Sequence, residues 1–206
     1  IALYSRRVYL KFMTIQINYK NRGSQKKPSN LILFVDEKFN ITGLKKCISN
    51  NEFLYISDLL KSSDLKKDIL LFDISSKKTI FLVSIKKDIK LSDIENLGAK
   101  FYSNINHEKT KEYYLNSDTV NSKIKNFVGY FLHGLKLKSY EFNIYKSKKN
   151  KKQISINVTG NKNKISSQDY LRFKALEEGS FFARDLVSEP GNILHPDEYA
   201  KRINSL

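Results

Sequence analysis

Two hydrophobic periods alternate along this chain, and this alternation limits its fold more than any other feature. Over residues 14–19 apolar side chains recur at every second position, and residues 30–36 (NLILFVD) form a continuous apolar run of strand length. Runs of the same kind follow at 68–74 and 79–85, and the four residues between them suit a hairpin turn better than a crossover. Because helical patterns separate these strands from later ones, the sequence predicts an α/β domain. The hairpin makes one pair of strands antiparallel, so we expect a mixed β-sheet.

Helical spacing marks two segments in the middle of the chain. Ser92 and Glu95 stand at the spacing of a capping box, and the apolar residues that follow predict a helix over 92–106. A second amphipathic pattern predicts a helix over 119–134. Between them, residues 112–116 (EYYLN) fit a short strand.

Two alternating segments surround a run of lysines later in the chain. Residues 140–145 (YEFNIY) and 154–158 (ISINV) both alternate, and the run at 146–152 (KSKKNKK) lies between them. The pattern predicts a hairpin with a solvated lysine loop at its tip.

The last segment changes character. A long helical pattern opens at Ser166 and stops at Pro190, and a further helix starts at Pro196. We therefore expect one domain over 13–165, followed over 166–206 by a connecting helix and the truncated start of a second domain.

Length and composition exclude several classes of protein. A chain of 206 residues, 40% of them hydrophobic, can bury a core and is not disordered throughout. No apolar run approaches the roughly 20 residues that a membrane-spanning helix needs. Cys47 is the single cysteine and cannot form an internal disulfide, and one cysteine with three scattered histidines does not make a zinc finger. We expect a cytoplasmic protein with a reduced thiol.

The formal charge of +16 suggests binding to nucleic acid, because clustered cations release counterions from phosphate. The composition of that charge weakens the argument, since 31 of the 37 basic residues are lysines and base readout favours the arginine fork. A bias toward A/T-rich codons explains the excess better than selected nucleic-acid binding does.

Residues 1–12 precede the only methionine, Met13. This segment is too short and too rich in Arg and Tyr for a secretory signal. We interpret it as upstream sequence or an extension before a start at Met13, and a short organelle presequence is the alternative.

Two strings of residues carry a resemblance to a known family. Residues 183–192 (ARDLVSEPGN), continued by ILHPDEYA at 193–200, resemble the segment that joins the N-terminal domain to the catalytic domain in the leucyl aminopeptidase (cytosol aminopeptidase) family, with Ser188 where the family usually has Asn. Residues 134–146 (GLKLKSYEFNIYK) resemble the string that closes the same N-terminal domain. Two independent strings in the right order identify the chain as a member of the family, with specific similarity over about 130–202.

The resemblance implies a fold and an activity for the whole protein. Its N-terminal domain is expected to be macro-domain-like, a mixed sheet flanked by helices, followed by a connecting helix. Family members are cytosolic, usually hexameric enzymes that remove N-terminal residues from peptides with two zinc or manganese ions, held by Lys, Asp and Glu side chains of the C-terminal domain. The strings that carry those ligands are absent from residues 1–206. We therefore expect no catalytic, cofactor-binding or metal-binding residue in this chain, and no activity from it alone.

Individual residues that invite a catalytic role have plainer interpretations, which we favour. The histidines His107, His133 and His195 are far apart and lack H-E-x-x-H spacing. Cys47 follows Lys45 and Lys46, which could lower its thiol pKa, but it has no neighbouring base in sequence and is interpreted as a bystander.

The remaining candidates are acids, aromatics and one charged pair. Acids at strand ends more often end strands than catalyse, and these are Asp36, Asp68 and Asp73. Aromatics on strand patterns more often pack in a core than stack on bases, and these are Tyr113, Tyr114, Tyr140, Phe142 and Tyr145. Arg184 and Asp185 are interpreted as an interdomain ion pair or cap rather than as a substrate clamp.

The sequence thus predicts the non-catalytic N-terminal part of a leucyl aminopeptidase. The alternative function is a stand-alone α/β module that binds nucleic acid or a nucleotide through its basic surface, although the chain has no G-x-G phosphate loop. A structural subunit that contacts neighbouring chains is a third possibility.

Overall fold

The computed structural model of the chain describes residues 15–19, 30–105, 110–146 and 153–205. In chain order its main elements are β1 (Ile15–Tyr19), β2 (Asn30–Asp36), α1 (Asn50–Ser62), β3 (Ile69–Ser75), β4 (Lys78–Ile85), α2 (Leu91–Ile105), β5 (Thr110–Asn116), α3 (Phe127–Lys138), β6 (Gln153–Thr159), α4 (Ser167–Ser188) and α5 (Pro196–Asn204). Two 3-10 helices, Thr42–Lys46 and Ser117–Thr119, lie in loops. The predictions for the segment 1–12, for His107 and for residues 147–152 fall outside the described residues.

The described strands form one six-stranded sheet in the order β1-β6-β5-β2-β4-β3. β3 is antiparallel to β4, and the other neighbouring strands are parallel. The predicted strands at 14–19, 30–36, 68–74, 79–85 and 112–116 are confirmed to within two residues at each end, as is the mixed sheet with a tight β3–β4 turn.

Each face of the sheet has its own hydrophobic cluster. Helices α2 and α3 cover one face, where Phe34, Phe81, Phe101 and Phe131 pack edge to face or tilted, with ring centroids 5.2–5.7 Å apart. On the other face α1 and the 3-10 helix Thr42–Lys46 cover a smaller cluster built on β2, β3 and β4. The alternation of side chains along each strand fixes which residues enter which cluster.

Helix α1 has no counterpart among the sequence predictions, although its start carries a capping box. The Ser49 hydroxyl accepts from the Glu52 amide at 3.3 Å, and the Glu52 carboxylate accepts from the Ser49 amide at 2.9 Å. The box predicted at Ser92 is wrong, because α2 begins one residue earlier and the Lys90 amide donates to the Asp93 carboxylate.

Two predictions about the middle of the chain need correction, one in its bounds and one in kind. The helix predicted over 119–134 spans Phe127–Lys138 instead, because Asn126 takes a left-handed conformation (φ 60°) that starts the helix there. The hairpin predicted from 140–145 and 154–158 does not form. Residues 140–146 are irregular, and β6 pairs in parallel with β1 and β5.

Helices α2 and α3 approach so closely that only glycine fits where they touch. A Cβ at Gly98 would lie 1.9 Å from the Phe131 carbonyl oxygen, and a Cβ at Gly134 would lie 1.9 Å from the Glu95 carbonyl oxygen. The two glycines therefore set the distance between these helices, and with it the position of α3 on the sheet.

We expect Gly98→Ala to lower the free energy of unfolding by about 1–3 kcal/mol or more, because the new methyl group forces two backbones apart. The matched control is Gly179→Ala in α4, where a Cβ would have no neighbour within 4 Å and should stabilise the helix by about 0.5–1 kcal/mol. Urea unfolding of both variants measures the two effects. Equal stability of Gly98→Ala and the unsubstituted chain would contradict the close contact.

Candidate functional site at the helix junction

Helix α4 docks on α3 through one aromatic side chain and one glycine. The Phe173 ring lies over Gly129, where a Cβ would come within 2.4 Å of it. The same ring packs edge to face on Tyr130, with centroids 5.0 Å apart. Gly129 thus leaves room on α3 for the ring that anchors the first half of α4.

A buried ion pair lies one turn further along this contact. The Lys136 ammonium is 2.6 Å from the Glu177 carboxylate, and both side chains are almost fully shielded from water. Burial raises the pKa of Glu177, and the nearby Lys136 charge opposes that rise. Because a buried charge without its partner is costly, the pair favours one register of α4 on α3.

The second half of α4 contacts the irregular segment 140–146. The Tyr140 hydroxyl donates to the Asp185 carboxylate at 2.6 Å, and the Tyr140 ring packs on Phe181 at 5.5 Å. The Arg184 guanidinium donates to the Leu137 carbonyl and lies 5.5 Å from the centre of the Tyr140 ring. These contacts join the two strings that carry the family resemblance.

A cluster of charges holds α5 against the end of α4. The Glu189 carboxylate accepts from the Tyr145 hydroxyl and from Arg202 Nη1, which lies 3.0 Å away. Arg202 Nε also donates to Glu198 at 3.2 Å. The Glu189 side chain is only 1% exposed, so this pairing is made inside the protein. The guanidinium fork thereby closes the turn between the two helices.

This junction of α3, the segment 140–146, α4 and α5 can fix the direction of two helices. Among the described residues no three His, Cys, Asp or Glu side chains are close enough together to hold a metal ion. The described helices also include none that is long and apolar enough to cross a membrane.

Of the candidate residues predicted from the sequence, the structure brings Tyr140, Arg184 and Asp185 into contact at the junction. His195 caps the start of α5, whereas His133 is buried on α3. Asp36 accepts from the amides of Lys38 and Asn40 in the turn after β2.

The other two candidate acids also have structural partners. Asp68 pairs with Lys86 and Lys100, and these cations lower its carboxyl pKa. Asp73 lies inside β3 rather than at a strand end, and it accepts from the Thr79 hydroxyl.

Of the aromatic candidates, Tyr113 and Tyr114 lie in the core as predicted, whereas Tyr140, Phe142 and Tyr145 lie in the irregular segment 140–146 and not on a strand. Partial burial, with the Asp118 charge nearby, raises the pKa of the Cys47 thiol, so the lowered pKa considered from the sequence is wrong in direction. Tyr113 and Tyr114 are buried on opposite faces of the sheet. Tyr140 contacts Asp185 of α4, and Tyr145 contacts Glu189, the residue that follows α4.

The point where a ligand would enter a sheet of this topology is occupied by the chain itself. In sheets of this kind ligands bind where connections leave two neighbouring parallel strands in opposite directions, which here is between β2 and β5. The Thr119 hydroxyl accepts from the Phe34 amide at 2.9 Å at this point, and Asn116 donates to the Cys47 sulfur. These contacts hold the segments that follow β2 and β5 beside that point.

Four junction residues were not singled out from the sequence: Gly129, Phe173, Glu177 and Arg202. Of these four, only Arg202 could have been noticed from the sequence, because arginine is rare here: six of the 37 basic residues are arginines. Two of the six, Arg184 and Arg202, lie in the junction. Neither the partner of Glu177 nor the reason for Gly129 can be read from local spacing.

No family profile matches the chain, but individual proteins do. It is 30% identical over 137 residues to a probable cytosol aminopeptidase of Clostridium perfringens, which covers 62% of this chain and 28% of that protein. A probable cytosol aminopeptidase of Rickettsia bellii is 27% identical over 208 aligned positions, covering 84% of this chain and 38% of that protein.

Solved structures give the same relation for the fold. A mutant of tomato leucine aminopeptidase superposes with a TM-score of 0.70 at 20% identity, over 93% of this chain and 42% of that one. The cytosol aminopeptidase of Coxiella burnetii superposes with a TM-score of 0.59 at 15% identity, over 93% and 37%. The comparisons confirm the predicted resemblance, and the chain spans less than half the length of each of these proteins.

The contact between Tyr140 and Asp185 predicts a pH-dependent contribution to stability. Burial and the Asp185 carboxylate raise the pKa of Tyr140 to about 12, so its neutral form is favoured in the folded state. That contribution is complete below pH 10 and is lost as pH rises toward 12. Tyr140→Phe should therefore be less stable than the unsubstituted chain at pH 7, by about 1–2 kcal/mol, and the gap should close toward pH 12.

Urea unfolding at a series of pH values measures that gap. Tyr55→Phe is the control, since Tyr55 is exposed on α1. A gap independent of pH would show that Asp185 does not accept from the Tyr140 hydroxyl.

Proposed function

We infer that this chain, a relative of the leucyl aminopeptidase (cytosol aminopeptidase) family in sequence and in fold, is the N-terminal, non-catalytic part of a two-metal aminopeptidase. The whole protein would remove N-terminal amino acids from peptides. Its zinc or manganese ions would be held by Lys, Asp and Glu side chains that lie outside residues 1–206, and the described residues contain no set of side chains that fits such an ion.

The junction is the observation that carries this proposal. The two strings recognised from the sequence lie 45 positions apart at Tyr140 and Asp185, and the structure joins them by a direct hydrogen bond. Strings that signal an interdomain connection therefore meet where the long helix leaves the sheet domain. Such a contact is expected of a residue set whose work is to orient one domain against another.

The residues of this chain would act by positioning. The Lys136–Glu177 pair and the Phe173 ring set α4 on α3, and the Glu189–Arg202 pair sets α5 on α4. A following catalytic part would then leave the junction in one direction. Fixed orientation is the contribution that a non-catalytic domain can make to the shape and accessibility of a distant site.

The relatives supply the remaining elements of the proposal. Their names place them in the cytosol, and we propose that the full-length protein is cytoplasmic and acts on peptides. We also propose assembly into a homo-hexamer, as the family resemblance implies.

We expect the 206-residue chain to release no leucine from leucine amide above a metal-free control, with either Mn²⁺ or Zn²⁺ added. The protein encoded by the complete reading frame should hydrolyse the same substrate and lose activity on chelation. Metal-dependent turnover by the 206-residue chain would overturn its assignment as non-catalytic. An inactive complete protein that binds no divalent metal would overturn the assignment to a metallo-aminopeptidase.

The nucleic-acid alternative makes its own prediction, which rests on the lysine run at 146–152. Lysine acts as a point charge, so any binding should follow phosphate attraction without base readout. On duplex DNA, affinity should be micromolar or weaker at physiological salt and should not depend on sequence. Each Lys→Gln change in the run should lower the magnitude of the log K against log salt slope by up to about 0.9.

Fluorescence anisotropy with two unrelated duplexes at several salt concentrations tests this prediction. Lys61→Gln is the control, because Lys61 lies on α1 and pairs with Asp58. Tight, sequence-selective binding that persists at high salt would favour the binding module over the aminopeptidase domain.

A further inference from the structure

His133 is the buried polar residue whose hydrogen bonding is incomplete at the junction. It lies on α3 and is 7% exposed, between Glu95 of α2 and Phe173 of α4. Its Nδ1 atom is 2.8 Å from the Glu95 carboxylate. Its Nε2 atom is fully buried and has no hydrogen-bond partner among the described residues.

The contact with Glu95 decides which form of the imidazole is present when the ring is neutral. An ionised carboxylate only accepts hydrogen bonds, so Nδ1 carries the proton and Nε2 keeps a lone pair. That lone pair needs a donor. A buried acceptor left without one is destabilising.

His133 lines a narrow cavity between α3, α4 and β1. The cavity leaves about 20 Å³ for the centre of a water molecule. One water needs roughly 10–15 Å³ on the same measure, so the space holds a single water. Apolar side chains close much of its wall, and these are Ile17, Leu132, Ile165 and Phe173.

Polar groups complete the lining. Lys136 and Glu177 form their ion pair there, and Tyr19 and Tyr170 belong to the same wall. The Tyr19 hydroxyl is protonated at neutral pH and can donate a hydrogen bond. An internal water usually makes two to four hydrogen bonds, and this wall supplies partners besides His133.

We propose that this cavity is a binding site for one internal water molecule, which donates a hydrogen bond to His133 Nε2 and is held on its other side by the polar groups around Glu177. The water completes a chain of hydrogen bonds from Glu95 on α2, through His133 on α3, to α4. A metal ion fits poorly, because the Lys136 ammonium shares the cavity wall. The site does not depend on the proposed function of the chain.

The site makes the docking of α4 specific in a way that apolar packing alone does not. A shift of α4 by one turn would separate Glu177 from Lys136 and remove the far wall of the cavity. The water would then lose its partners, and His133 would keep an unpaired lone pair.

The experiment counts long-lived internal waters in the whole chain by magnetic relaxation dispersion of water deuterium and oxygen-17. His133→Phe keeps an aromatic ring but removes the acceptor, and we expect it to lose one such water. His195→Phe is the matched control, because His195 is an exposed helix cap, and we expect it to keep the full count. The same count in the unsubstituted chain and in His133→Phe would overturn the proposal.

A second measurement needs no variant and so does not depend on whether His133→Phe folds. The ¹⁵N chemical shifts of the His133 ring in the unsubstituted chain report which nitrogen carries the proton and whether the other accepts a hydrogen bond. We expect a protonated Nδ1 and an Nε2 shifted as a hydrogen-bond acceptor. A protonated Nε2, or an Nε2 with the shift of a free lone pair, would overturn the proposal.

Discussion

The close contact between α2 and α3 determines where the rest of the junction can lie. Gly98 and Gly134 bring the two helix backbones together, and the Glu95 carbonyl is the group that Gly134 touches. The carboxylate of the same Glu95 holds His133. The backbone contact and the polar contact together fix the position of α3. They thereby fix the surface of α3 on which α4 docks.

Helix α4 is 22 residues long, yet Phe173 and Glu177 are its only buried residues. Apolar burial of this size is worth a few kcal/mol at most, far less than the sheet gains from its two clusters. Polar contacts therefore decide how α4 sits. They add little net stability, since desolvation offsets their attraction, but removing one partner is costly. Such contacts give orientation more than they give stability.

The sequence predicted the strands well because each is an apolar or alternating segment of strand length. It failed where a tertiary contact decides local structure. Ile124 continues the period of α3, but the left-handed Asn126 starts the helix after it. The alternating segment 140–145 forms no strand, and Tyr140 and Tyr145 instead bond to Asp185 and Glu189, which lie 45 and 44 positions later. The junction could be recognised by resemblance, whereas its contacts could not be derived from spacing.

The choice of basic residues shows what the junction requires. This chain uses lysine for 31 of its 37 basic positions, so an arginine stands against its general composition. Arg184 bonds a carbonyl while its plane lies near the Tyr140 ring, and Arg202 reaches Glu189 and Glu198 from two different nitrogens. A lysine is a point charge on a flexible stem and could not make either pair of contacts in one geometry. Both arginines therefore lie where the direction of a helix, rather than the sign of a charge, has to be fixed.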